Sequence, residues 1–144
     1  MNYAEFLDAA RCGRLDLLKE GLSAQTDINY KNEKGHSALM LASYNGHFDC
    51  VQFLISQGAD VNSVDLDGNS ILMGTVFKGH SAVFELLVSA GADLDHANSK
   101  MQNALDLAVM FGRRNLIFRI NQIQNSSRST GRVEQIKTWA KQII

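Results

Sequence analysis

The chain has 144 residues, 45% apolar and 20% charged, enough for one domain with a continuous core and ordinary for a soluble globular protein. No apolar run approaches the ~20 residues of a membrane span, and the start, Met1-Asn2-Tyr3-Ala4-Glu5-Phe6, lacks the basic and then apolar regions of a secretory leader. The expected location is therefore the cytoplasm, unless a leader has already been removed, and the two cysteines, Cys12 and Cys50, are read as free thiols rather than a disulfide framework or a zinc site.

Net charge is −1 but unevenly spread. Residues 1–97 carry 6 Lys+Arg against 13 Asp+Glu, and residues 98–144 carry 8 against 2. Such a split reads either as a solvated surface with an uneven tail or as a dipole that steers a charged partner.

Along the chain, Gly13, Gly46, Gly79 and Gly112 recur every 33 residues, a period that marks stacked repeats. Ser37, Ser70 and Asn103 are helix N-cap types standing before short apolar segments. Each segment runs about eight residues to a glycine of the series, where a left-handed backbone can end the helix. A second helix follows, with Cys50, Val51, Leu54 and Ile55 on one face, then Val83, Phe84, Leu87 and Val88 in the next unit. Gly58 and Gly91 close those helices, and Asp65-Leu66-Asp67-Gly68 reads as a projecting turn.

Each unit is thus helix, turn, helix and hairpin-like loop, with units at about 1–31, 32–64, 65–97 and 98–124. Helices this short need neighbours to stack on them. Where Phe53 and Leu86 stand, the first unit has Glu20 and the last has Arg119. Asn121 replaces Ile55 and Val88. These polar residues are read as covers for the two ends. Residues 125–132 read as a loop. Residues 133–144 read as a helix with a stripe of Val133, Ile136, Ala140 and Ile143 beside Trp139. That helix either caps the last unit or docks on a partner.

Residues Asp65-Leu66-Asp67-Gly68, Gly46-His47 and Gly58-Ala59-Asp60-Val61-Asn62 resemble the ankyrin repeat, and the likeness extends from residue 1 to about 124. It implies an all-α fold, an α-solenoid of about four stacked repeats. The departures are an absent proline and histidine in the first helix of every unit; methionine in the histidine's place gives a likeness to small bacterial members. Met101 stands where the other loops have glycine, so the third hairpin is expected to be irregular. Gly74-Thr75 is expected to loosen the middle of the stack, since glycine costs about 1 kcal/mol of helix propensity.

Nothing in the sequence carries catalytic chemistry. His36 and His96 lie on loops without a ligand partner, and His47 and His80 occupy turn positions where the family uses histidine to bond neighbouring backbone. The acids at 65–67 are too few for a calcium site. No cofactor, metal or catalytic residue is expected. Arg113, Arg114, Arg119, Arg128, Arg132, Lys137 and Lys141 make the C-terminal end basic, but no nucleic-acid motif accompanies them. Neither nucleic acid nor membrane is expected as a partner.

The resemblance implies that hairpin tips and first helices form a concave face that binds an unidentified protein. Carried onto this sequence, its centre is Tyr44, Phe77 and Phe111, with Met110 and Leu66 beside them and Glu33, Lys34, His36, Asp67, Lys78 and Lys100 around them. Lys31, Asn45, Val64, Asn69, Ser99 and Gln102 belong to the same face. Phe77 could instead tuck under the adjacent hairpin as core. The expected role is a binding adaptor, monomeric when free. One alternative is an inhibitor or immunity protein that neutralises a toxin or enzyme; a more remote one is an enzyme using the face as a cleft.

Overall fold

A computed structural model describes residues 1–143, with side chains described for 1–128, 140 and 141. Eight helices follow one another among the described residues: α1 (Tyr3–Arg11), α2 (Leu15–Gly21), α3 (Ala38–Tyr44), α4 (Phe48–Ser56), α5 (Ile71–Lys78), α6 (Ser81–Ser89), α7 (Ala104–Met110) and α8 (Arg114–Ile143). Among the described residues there is no strand, only an isolated bridge between Val64 and Ser70 at the base of a hairpin. The first helices α1, α3, α5 and α7 contact one another in an inner row, and α2, α4 and α6 in an outer row. This is an all-α solenoid of four helical pairs.

The caps form where the sequence places them. Ser37 Oγ accepts from Met40 N and Ser70 Oγ from Met73 N, each at 3.2 Å. Asn103 and Asp106 make a reciprocal capping box at 2.9 Å in each direction. Asn2 and Glu5 do the same at the start of α1. Each such cap contributes about 1 kcal/mol to a helix that could not stand alone. The core runs the length of the stack, through Leu18, Val51 and Phe84 in one register and Leu54, Leu87 and Ile120 in another.

Adjacent units are also joined by polar bonds at fixed registers. Asn29 Oδ1 accepts from Asp60 N, and Asn62 Oδ1 from Asp93 N, both at 2.8 Å. The hairpins meet edge to edge, Leu66 N donating to Lys34 O at 3.3 Å and Ser99 N to Asp67 O at 3.1 Å. His47 Nε2 reaches Arg11 O at 2.8 Å and His80 Nε2 reaches Tyr44 O at 3.1 Å, so both turn histidines bond backbone. In the last unit Arg113 takes over, its Nη2 donating to Phe77 O at 2.7 Å. Gly46 is needed beside this staple: its φ is +73°, and a Cβ there would stand 2.7 Å from the His80 ring.

Three expectations are corrected. Residues 125–132 are not a loop, because α8 continues as a single helix of 30 residues. The glycines that end α4 and α6, Gly58 and Gly91, have Gln124 at their register in the last unit, so nothing there turns the chain. A helix of that length spans about 45 Å. The side chains of Val133, Ile136, Trp139 and Ile143, named for a capping or docking stripe, lie outside the described residues.

The hairpin of the last unit is regular. Met101 takes φ +61°, and its N–H bonds Asn98 O at 3.0 Å as Gly68 N bonds Asp65 O. α5 is helical throughout Ile71–Lys78, across Gly74-Thr75; Thr75 Oγ1 is buried and donates to Ile71 O at 2.9 Å. Finally, Arg119 does not cover the end of the stack. Its guanidinium grips Glu85 of the preceding unit through both nitrogen–oxygen pairs, at 2.6 and 3.1 Å. The glutamate holds that guanidinium even more firmly protonated than usual.

Candidate binding groove

The groove is built from two walls. One is the row of hairpins, whose shape is fixed from within by Asx side chains. Asn32, Asp65 and Asn98 stand 33 residues apart, and the Oδ1 of each accepts two backbone N–H groups of its own loop at 2.9–3.0 Å. Asp65, at the start of the acidic turn, is thereby committed to backbone. Asn98 Nδ2 also donates to Asn69 Oδ1 at 2.9 Å, and His96 Nε2 meets Gly68 O at 2.7 Å, tying the second and third hairpins together.

The other wall is the inner row of helices. Tyr44 at the end of α3, Phe77 on α5 and Phe111 just after α7 form a ladder. Tyr44 and Phe77 stack at 6.2 Å between ring centroids, and Phe77 meets Phe111 edge-on at 4.6 Å. Both are favourable aromatic arrangements. Lys78 Nζ lies 4.9 Å over the Tyr44 ring, a cation–π contact that orients the ring. Gly74 makes room for it: a Cβ at that position would stand 3.2 Å from Tyr44 Cδ2. The glycine that costs α5 propensity therefore shapes the groove floor.

Between the walls is a hollow of about 420 Å³ whose floor is Met40, Met73, Tyr44, Phe77 and Phe111 and whose rim includes His36, Asn69, Lys100 and Gln102. It is lined mainly by apolar side chains with a few polar groups, as binding sites commonly are. A smaller hollow continues toward the first unit, lined by Arg11, Glu33, Lys34, His36, Tyr44 and Asn45.

The structure brings together most of the residues singled out from sequence. Tyr44 and Phe111 are exposed by 38% and 43%, while Phe77 is half-buried between them. Phe77 thus belongs to the groove floor, held between the two rings rather than packed into the core. His36 and Lys100 are on the rim. Glu33 and Lys34 line the adjoining hollow. Leu66 and Asp67 project from a hairpin tip, outside the hollow. Met110 is exposed and also outside it, its sulfur receiving Gln102 Nε2 at 3.3 Å. Lys31 is turned to structure, donating to Val64 O at 2.8 Å. Met40, Met73 and Gly74 escape a reading of the sequence because they fall on the buried side of their helices, where identity reads as core.

A solenoid of helix–turn–helix pairs with projecting hairpins is a repeat protein whose surfaces are built by stacking. The family model for ankyrin repeats, in three copies, matches residues 6–98, more than half of the chain, and the protein belongs to the ankyrin-repeat family. The fourth pair, α7 and α8, lies beyond that match. The chain is also similar to ankyrin repeat domain-containing protein 29 of Danio rerio, with 49% identity over 45 residues. That stretch is 31% of this chain and 15% of the relative. Ankyrin repeats are, in general, protein–protein interaction modules. No helix among the described residues is long and apolar enough to cross a membrane.

Proposed function

We propose that this protein binds another protein in the groove between its hairpins and inner helices. Tyr44, Phe77 and Phe111 form the centre of the contact, Met110 and Leu66 extend it, and Glu33, Lys34, His36, Asp67, Lys78 and Lys100 surround it. The observation that carries this reading is the aromatic ladder lying accessible on the floor of a preformed hollow of about 420 Å³. Aromatic side chains at the middle of an interface dominate its energy, and here the stacked units hold them in place before binding, so little order has to be gained. The charges around the ladder set association rate and salt dependence more than affinity.

The test is affinity capture from the native source with the whole chain as bait, followed by titration of the captured protein. Tyr44→Ala and Phe111→Ala should each weaken binding at least tenfold, while Gln52→Ala on the outer row leaves it unchanged. Phe77→Leu, which keeps a large apolar group in the half-buried position, separates binding from folding. Wild-type affinity in both the Tyr44→Ala and Phe111→Ala variants would remove the groove from the binding surface.

A further inference from the structure

Asn98 gives the polar wall of the groove a direction. It is buried, and its Oδ1 accepts the backbone N–H groups of Lys100 and Gln102 at 2.9 and 3.0 Å. With its oxygen so placed, its Nδ2 donates to Asn69 Oδ1 at 2.9 Å and to Gln102 Oε1 at 3.1 Å. A side-chain amide has one oxygen and one nitrogen, so turning both oxygens toward Asn98 leaves Asn69 Nδ2 and Gln102 Nε2 on the far side of their amides. Both residues line the hollow. Asn69 Nδ2 has no partner among the described residues, and Gln102 Nε2 has only the Met110 sulfur, a weak acceptor, at 3.3 Å. Two amide donors are thus fixed in orientation and left without a strong acceptor.

Charge points the same way. Lys100, on the same rim, is exposed, and its ammonium makes no ion pair among the described residues. Lys78 lies over the Tyr44 ring, likewise with no carboxylate partner among the described residues. Asp65 lines the hollow too, but its Oδ1 is taken by the backbone N–H groups of Asp67 and Asn69 at 2.9 Å. This bias toward donors runs against the composition, since residues 1–97 carry 13 Asp+Glu against 6 Lys+Arg. The floor is of another kind. Met40 and Met73, both buried, carry flexible, polarizable side chains that adapt to apolar groups of different shape.

We propose that the segment seated in the groove is acidic and apolar at once: an internal stretch of the partner protein that sets a Leu, Met or Phe side chain over Met40 and Met73 and an Asp or Glu carboxylate against Asn69 Nδ2 and Gln102 Nε2. This inference rests on the groove being the binding surface, as proposed above. A carboxylate suits the wall because it only accepts, and a hydrogen bond to an ionised acceptor is stronger than one between neutral groups. Lys100 and Lys78 draw the acid in from solution and act mainly on the rate of association. A basic segment would bring donors to donors and ammonium groups to ammonium groups, so the wall also rejects wrong partners. The groove runs on past His36 into the adjoining hollow, beside Lys34, which gives the bound segment room to continue.

The test is selection of peptides from a random display library on the whole chain, followed by titration of synthetic versions with both termini blocked. The expected winners carry Asp or Glu beside, or one residue from, a Leu, Met or Phe, and few Lys or Arg. Replacing that acid by its amide should weaken binding about tenfold. Gln102→Glu and Asn69→Asp should each weaken the acidic peptide by a similar factor and bind its amide counterpart no worse than the wild type does. Both variants keep the oxygen that Asn98 Nδ2 needs, and melting curves check the fold. Gln52→Glu on the outer row makes the same change in net charge and should leave binding intact. Neutral or basic winners that are lost in Tyr44→Ala and Phe111→Ala overturn this inference while leaving the groove as the binding surface. So does an acidic peptide indifferent to Gln102→Glu and Asn69→Asp. Winners indifferent to Tyr44→Ala and Phe111→Ala overturn the groove and this inference together. A library without any groove-dependent binder overturns the inference alone, since titration of the captured protein still decides the groove.

Discussion

Arg113 Nη2 donates to the Phe77 carbonyl at 2.7 Å, one unit along from the bond that His80 Nε2 makes to the Tyr44 carbonyl at 3.1 Å. Two different side chains thus play the same part. Each reaches back to the last turn of the previous inner helix and satisfies a carbonyl that the helix leaves without a partner. Arg113→Ala should therefore cost about 1–2 kcal/mol, the effect of losing a charge-assisted bond at a half-buried site. Arg114→Ala, exposed and next in sequence, should stay within about 0.5 kcal/mol. Urea unfolding of the two variants decides it; equal midpoints would show that the staple at this junction is incidental.

Met101 holds a left-handed backbone at φ +61° that L-residues adopt at a cost of about 1–2 kcal/mol. Nothing lies over it, whereas Gly68 at the same register has the Ser99 backbone 3.2 Å from where a Cβ would stand. Met101→Gly should raise stability by about 0.5–1 kcal/mol, the backbone relief outweighing the greater freedom of glycine in the unfolded chain. Gly68→Ala should lower it, through both the positive φ and the neighbouring hairpin. Thermal melts of the pair should move in opposite directions, and a shift of both the same way would contradict the account.

The two thiols should separate cleanly. Cys12 is exposed and Cys50 is 1% exposed in the core, where burial pushes its thiol pKa up. Only the thiolate reacts with alkylating agents. Iodoacetamide at pH 8 should add one group to the native protein and two in urea, read by intact mass. Two adducts on the folded chain would mean that α4 opens far more readily than its packing implies.

Phe77 and Tyr44 should differ in what their removal does to the fold. Phe77→Ala leaves a half-filled space between two rings and should cost about 2 kcal/mol, below the loss for a fully buried phenylalanine. Tyr44→Ala, at an exposed site, should cost about 1 kcal/mol or less. If denaturation shows the order reversed, the ladder is held from the Tyr44 end and the half-buried position is the adaptable one.

How far these features can be read in advance depends on whether they follow the 33-residue register. Ser37, Ser70 and Asn103 cap their helices as expected, and the histidines at 47 and 80 bond backbone, because each repeats at the same offset. The contacts that escape are those offset by one more residue. Glu85 meets Arg119 and Phe77 meets Phe111 across 34 positions, so aligning equivalent residues points Arg119 at the open end and pairs Phe77 with Met110. The stretch at 125–132 misleads for a different reason. Its Asn, Ser, Thr and Gly content suggests a loop, but the missing terminator is upstream, at Gln124 where Gly58 and Gly91 turn the chain. Of the groove, Tyr44 and Phe77 are legible from their 33-residue spacing; the rest of the floor is not, because Gly74 reads as weak helix until the Tyr44 ring is seen lying on it.

The joints between units draw on a common kit: a side chain bonded to a carbonyl at each, an Asn holding the next loop at two, and hairpins meeting backbone to backbone where two lie side by side. Such joints are interchangeable parts. A duplicated block of residues 32–64 inserted after residue 64 would meet on both sides the registers that its neighbours already offer. The molecule can be lengthened from the middle, with the reach of its groove growing by whole units.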